Sequence, residues 1–225
     1  PNLFTVGNTS GGDVRDEEIA AAVELLLATK APRYAQRLAA MWPEIEARFV
    51  FVVPDLIRAM PAMDAPYAAK LRALAAASRE DPALRQTLDE NPYYGVPITR
   101  GGWAGNEFVV HHGISAYYLH RAFPDLFPAD PVLRSLEYLH GCHPGSDVSF
   151  VSAVGTRSAT IAYGSNRADF SFIAGGVVPG VLVLKPDFPE HKEDWPFFWG
   201  QNEYVVSLAG GYIFLVHAAQ EVAGE

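Results

Sequence analysis

Cysteine is almost missing from this sequence. Cys142 stands alone among 225 residues, which excludes an internal disulfide and leaves the redox compartment open. Basic residues are also scarce: 17 Lys and Arg face 26 Asp and Glu, for a net charge of −9, and no Lys/Arg block exists. That excludes the phosphate neutralisation on which nucleic-acid binding depends. Strictly apolar runs are short too. The longest, "GGVVPGVLVL" (175–184), is too short and too rich in glycine to cross a bilayer, so no membrane span is expected. No charged-then-apolar leader opens the chain. Neither a CxxC nor an HxxxH frame occurs, so the histidines of "HGCH" (His140, His143, with Cys142 between them) have no fourth zinc ligand at a fitting spacing. His111 and His112, about 100° apart on a helix, cannot easily face one ion. Packed or hydrogen-bonded histidines and no structural metal are the expectation, and Cys142 has no visible partner to activate it as a nucleophile.

What is present is helical. "DVRDEEIAAAVELLLATK" (13–30) offers Asp13 as a cap, acids Asp16, Glu17 and Glu18 in the first turn, and Ile19, Val23, Leu26 and Leu27 at helical spacing. Further helices are predicted over 32–41, over 43–60 with a break at Pro54, over 64–79 starting at Asp64, and over about 105–123 and 130–140. The last runs from Glu203 to about Val222. It is apolar nearly all round, predicting packing on several sides with close approach at Gly210–Gly211. No convincing strand alternation appears, although "VLVL" (181–184) fits a short strand. The pattern is all-α: antiparallel helix pairs joined by short turns and by long aromatic loops, as a toroid or an array of hairpins. No sequence repeat supports a TPR-like or HEAT-like solenoid. Pro1 is not an initiator, and the opening "PNLFTVGNTSGG" has the texture of a loop interior, so the chain is expected to be a piece of a longer protein.

Three loop segments carry candidate chemistry. In "WPFFWGQNEY" (195–204) six ring-bearing residues surround one carboxylate, Glu203. An acid at a helix start complements the dipole, worth a few tenths to about one kcal/mol. The alternative is a proton donor: apolar rings disfavour the charged carboxylate, and the same rings stack on the C–H faces of sugars. "YGSNRADF" (163–170) brings Tyr163, Asn166, Arg167 and Asp169 together. They form either a surface Arg–Asp pair or a cluster that reads hydroxyls through a planar guanidinium and an amide. "NPYYGVPITRGGWAGN" (91–106) holds Tyr93, Tyr94, Trp103 and Asn106, a stacking wall or a set of loop anchors. A loop-rich stretch as long as 141–202 is usually functional.

Four segments occur in an order that resembles glycoside hydrolase family 9, the cellulases and related exo-acting β-glucosidases: "EEIAAAVELLLATKAPRYAQRL", "NPYYGVPITRGGWAGNEFVVHHGISAYYL", "LEYLHGCHPGSDVSFVSAVGTR" and "WPFFWGQNEYVVSLAGGYIFLVHA". The resemblance covers essentially residues 1–225 and matches the C-terminal half of that family's catalytic domain. It implies an (α/α)6 barrel of six helical hairpins, here a partial barrel, with the rest of the domain and an immunoglobulin-like domain upstream. It implies an inverting hydrolase of β-linked oligosaccharides or polysaccharides, secreted or periplasmic. No cofactor is required, and calcium is allowed although no acidic loop here demands it. Glu203 falls on the general acid and Arg167 on the sugar-contacting arginine. Asn166 would orient the sugar with Arg167, Trp103, Trp199 and Tyr163 would line the cleft, and Asn106 joins them as a binding residue. Ser165 and Asn166 stand where better-known members carry two histidines, which draws the comparison toward exo-acting relatives. The paired aspartates of the family's Asp-Ala-Gly-Asp base motif are missing, and Asp64-Ala65-Pro66 does not replace them. Inversion needs two carboxylates about 6.5–9.5 Å apart, and this chain supplies one. A non-catalytic, carbohydrate-binding helical domain is the alternative from another class. A helical repeat for protein contacts fits the long aromatic loops poorly.

Overall fold

A computed structural model describes residues 14–81, 95–97, 105–143, 147–160, 172–180 and 203–224. The described residues are all-α, as the periodicity predicts. Seven α-helices occur among them, against two strands of two residues each. The chain divides into two compact units, residues 1–76 and 77–225.

In the first unit, α1 (Arg15–Thr29) buries Ile19, Ala22, Val23 and Leu26, one face of its helical repeat. It packs against α2 (Pro32–Ala40) and α3 (Trp42–Ala59). The first-turn acids of α1 do more than complement a dipole. Asp16 receives Nε and Nη2 of Arg48 from α3, and Glu18 pairs with Arg37 of α2. Glu24, further along, meets Arg58 of α3 at 2.6 Å. Asp13, the expected cap, lies outside the described residues, and Val14 holds the N-cap position without a side-chain bond.

The predicted break at Pro54 does not occur, because α3 continues through it to Ala59. Proline removes one ladder donor, which costs most where the opposing carbonyl is buried. That carbonyl belongs to Val50, on a face where Val50 and Phe51 are exposed, while Phe49, Val52, Val53, Leu56 and Ile57 keep the other face in the core. After a single 3-10 turn (Met60–Ala62), α4 (Ala65–Ser78) begins where Asp64 accepts the Tyr67 N–H at 2.9 Å, a side-chain N-cap.

The second unit is built on α5 (Gly105–Ala122), α6 (Asp130–Leu139) and α7 (Val206–Ala223). Helices α5 and α7 run parallel. Ser207 donates to Glu107 at their N-terminal ends, and Glu221 takes Tyr117 and Arg121 near their C-terminal ends. Helix α6 returns between them as an antiparallel partner of α5. Gly113 permits this, since a Cβ there would lie 2.7 Å from Leu215 of α7 and 2.8 Å from Ser135 of α6. Val109, Val110, Tyr138, Leu139, Leu208 and Leu215 form the centre of the shared core.

Helix α7 departs from two expectations. It starts at Val206 rather than Glu203, and it is buried on one side only, with Val206 89% and Ile213 60% exposed. The adjacent glycines also differ. A Cβ on Gly211 would stand 2.7 Å from Val110, whereas Gly210 faces open space.

Two loop segments close over the end of this cluster where α5 and α7 begin. In residues 147–160, β1 (Val148–Ser149) pairs in parallel with β2 (Arg157–Ser158), and Phe150 N–H bonds Leu139 O at 2.9 Å, tying the loop to the end of α6. Residues 172–180 lie across it through an antiparallel bridge between Val151 and Val177. Beneath, the rings of Tyr138, His143 and Phe150 gather with centroids 5.0–5.7 Å apart. The "VLVL" segment lies outside the described residues.

Candidate functional site

Glu203 is half-buried, at the same end of the second unit as Asn106 and Glu107. It does not sit in a helical turn. Val205, the residue before α7, has φ −118° and ψ 129°, and the first turn of α7 carries no acid. Helix-dipole stabilisation fades beyond the first turn, so the dipole reading of Glu203 loses its geometric basis. The sequence misled because the apolar run continues unbroken from Tyr204 into the helix. "YVV" is nonetheless aromatic and β-branched, a composition that favours extended backbone.

Tyr204 holds this extended lead sideways. Its hydroxyl lies 2.8 Å from Ser152 Oγ and accepts the Ile173 N–H at 3.2 Å. Its ring rests where Gly176 has no side chain, since a Cβ there would come within 2.5 Å of the ring. Ser152 is fully buried and bonded at every polar atom. Its N–H reaches Gly176 O at 2.9 Å, its carbonyl accepts from Gly175 N–H at 2.7 Å, and its Oγ donates to Ala159 O at 2.9 Å. Sequence reasoning quoted Tyr204 without giving it a role and had no signal for Ser152 or Gly176, which are ordinary members of a Ser/Gly-rich loop.

Asn106 is placed among the loop anchors. It is fully enclosed, its Nδ2 donating to Val178 O at 2.8 Å and its backbone N–H to Pro179 O at 2.8 Å. Gly180 makes the approach possible with φ +89°, and a Cβ there would fall 2.3 Å from the Asn106 amide. In this arrangement Asn106 faces the loop rather than solvent. Its Oδ1, also buried, has no hydrogen-bond partner among the described residues. Arg167, Asn166, Tyr163, Trp103 and Trp199 lie outside the described residues, as do Tyr93, Tyr94, Asp169 and the other rings of 195–199.

His140 and His143 are each hydrogen-bonded within the protein. His140 Nε2 meets Tyr212 OH at 2.9 Å, tying the end of α6 to α7, and burial lowers its pKa. His143 Nε2 donates to Val148 O at 2.8 Å. Burial lowers its pKa to about 4 against the opposing pull of that carbonyl and of Asp147. His112 is likewise pushed down to about 4, by burial first and by neighbouring His111 second. Cys142 is exposed. Among the described residues no three His, Cys, Asp or Glu side chains gather where a cation could be held.

No protein-family model matches the chain, and no curated protein sequence matches it. Solved structures do resemble it. The cellulase Cel9M of C. cellulolyticum superimposes with a TM-score of 0.68 at 14% identity, over 96% of this chain and 53% of that one. The structure of AaCel9A in complex with cellobiose-like isofagomine gives 0.69 at 19% identity, over 94% and 44%. The catalytic domain of Clostridium thermocellum CelT gives 0.60 at 13% identity, over 96% and 50%. The fold is thus shared with cellulase structures, and the chain spans about half the length of each.

Proposed function

We propose that this chain is the C-terminal part of the catalytic domain of an inverting, family 9-type glycoside hydrolase acting on β-linked glucose oligomers, with Glu203 as the general acid. One observation carries the reading. In a fold shared with cellulase structures, a half-buried glutamate stands on a pinned, extended lead into the last helix, at the end of the cluster covered by loops. Extended backbone held by a neighbouring anchor suits a side chain that must deliver a proton to one oxygen in a fixed direction.

In this proposal Arg167 and Asn166 orient the sugar, while Trp103, Trp199 and Tyr163 offer it ring faces. Asn106 contributes by holding the loop at residues 178–180. The general-base carboxylate comes from residues upstream of this chain, as do the remaining helices and an immunoglobulin-like domain. The parent is exported. No cofactor enters the reaction.

The test is Glu203→Gln in the intact parent protein, assayed on aryl β-cellobiosides. A phenyl leaving group needs a proton and a dinitrophenyl group hardly does. The phenyl substrate should therefore lose about 10²–10⁴-fold in kcat while the dinitrophenyl substrate loses far less. Equal losses on both would remove Glu203 from the acid role. Cello-oligosaccharide binding by the unmodified parent without any turnover would favour a carbohydrate-binding domain instead.

A further inference from the structure

We infer that Tyr204 is a positioning residue for Glu203, acting through a directed hydrogen-bond chain that joins three loop segments; the inference rests on the reading of Glu203 as the acid. The direction of the chain follows from counting protons. Ser152 has one hydroxyl proton and gives it to Ala159 O, a carbonyl that can only accept, at 2.9 Å. The 2.8 Å contact between Ser152 Oγ and Tyr204 OH therefore requires Tyr204 to donate. Tyr204 in turn accepts from Ile173 N–H at 3.2 Å. The Ile173 carbonyl, 3.4 Å away, competes for the same tyrosine proton at a poorer distance. The order is Ile173 N–H to Tyr204, Tyr204 to Ser152, Ser152 to Ala159 O. Each of the two hydroxyl oxygens is used once as donor and once as acceptor, which fixes the rotation of both hydroxyls.

Around this chain the backbone leaves little play. Gly176 N–H bonds Ile173 O at 2.8 Å, closing the turn on which the tyrosine ring sits, and a Cβ at Gly176 would occupy the place of that ring. Ser152 is joined to Gly175 and Gly176 by two further backbone bonds, and Phe150 to Val178 by a third. The tyrosine side chain thus enters a socket assembled from residues 150–159 and 172–178. Successive side chains of an extended strand point to opposite sides. By that alternation, fixing Tyr204 in its socket would direct its predecessor Glu203 away from the socket. The hydroxyl is where the restraint acts, and it lies outside the glutamate itself.

The experiment uses the intact parent protein with Tyr204→Phe, which keeps the ring and removes the hydroxyl, and Ser152→Ala, which removes the acceptor at the other end. Both are assayed on phenyl and dinitrophenyl β-cellobiosides, alone and in the Glu203→Gln background, with melting temperatures measured alongside. Tyr204→Phe should lower kcat on the phenyl substrate about tenfold to a hundredfold, as a proton donor displaced by a fraction of an ångström to an ångström would. KM and the dinitrophenyl rate should change little. Ser152→Ala should reproduce the same split to a smaller degree. In the Glu203→Gln background the Tyr204→Phe loss should disappear, because the residue it positions is gone.

A loss equal on both substrates, a loss that persists beside Glu203→Gln, or no loss at all would overturn the inference while leaving Glu203 as the acid. Glu203→Gln by itself showing no dependence on the leaving group would overturn the acid assignment, and this inference with it; the two failures are read from different variants. Should Tyr204→Phe not fold, the Ser152→Ala split decides by the same criteria.

Discussion

His112 and His143 share a physical situation although they lie in different parts of the second unit. Each is held neutral by burial, with its pKa lowered from 6.5 to about 4. In the unfolded chain both would titrate near 6.5. Between pH 6.5 and about 4 the unfolded state therefore binds more protons, and stability falls as the pH drops through that window. The slope is up to about 1.4 kcal/mol per pH unit for each imidazole. Above pH 6.5 these two groups contribute no slope. Urea unfolding at pH 7 and pH 5 should show the lower midpoint at pH 5, and His143→Gln should make the difference between the two pH values smaller. An unchanged difference would mean that His143 is already protonated in the folded protein or is not buried in solution. At this scale the sequence was least informative. That "HGCH" lacks a metal frame was legible, but the bond of His143 to Val148 and that of His140 to Tyr212 depend on a turn and on a contact 72 residues away.

Helix α7 contains two adjacent glycines that no reading of sequence alone can separate, since both belong to one apolar run. The structure gives them opposite prospects. Gly210 faces open space, so Gly210→Ala should add helix propensity and stabilise by about 0.5–1 kcal/mol. A Cβ on Gly211 would lie 2.7 Å from Val110, and one on Gly113 of α5 would lie 2.7 Å from Leu215 and 2.8 Å from Ser135. Alanine at Gly211 or Gly113 should force the helices apart and cost about 1–3 kcal/mol. Melting temperatures of the three variants check this, and a stabilising Gly113→Ala would contradict the packing of α5 against α6 and α7. Elements as such were largely legible: each of the seven helices lies within a few residues of where its periodicity put it. The misplaced boundaries have local causes. Pro54 was absorbed because its missing donor falls on the exposed side of α3, and α7 starts late because Tyr204 is drawn into a socket that no local pattern reveals.

Among the described residues, several large apolar side chains remain open to solvent. Val50 and Phe51 on α3 are 40% and 53% exposed, Phe108 on α5 is 46%, and Val206 and Ile213 on α7 are 89% and 60%. The chain also spans only 44–53% of the cellulase structures it resembles. If the parent supplies further helices, as proposed, they cover part of this surface. Ile213→Asp should then destabilise the intact parent by about 2 kcal/mol or more, through lost burial and an unpaired charge, and so lower its melting temperature. In the 225-residue chain made alone the same change should improve solubility. A parent protein indifferent to Ile213→Asp would show that this face stays in water. The all-α class could be read from composition and spacing at this scale. The expectation of a base carboxylate upstream came from a family resemblance alone and from no residue of this chain.

The socket that receives Tyr204 also bears on how such a protein could be re-engineered. Its walls come from two separate stretches of the chain, Ser152 from one loop and Ile173 and Gly176 from another. Transplanting either loop singly from a distant relative would leave a hydroxyl without its counterpart, or a ring without its hollow. Swapped as one cassette, with the tyrosine travelling alongside, they would carry their alignment with them.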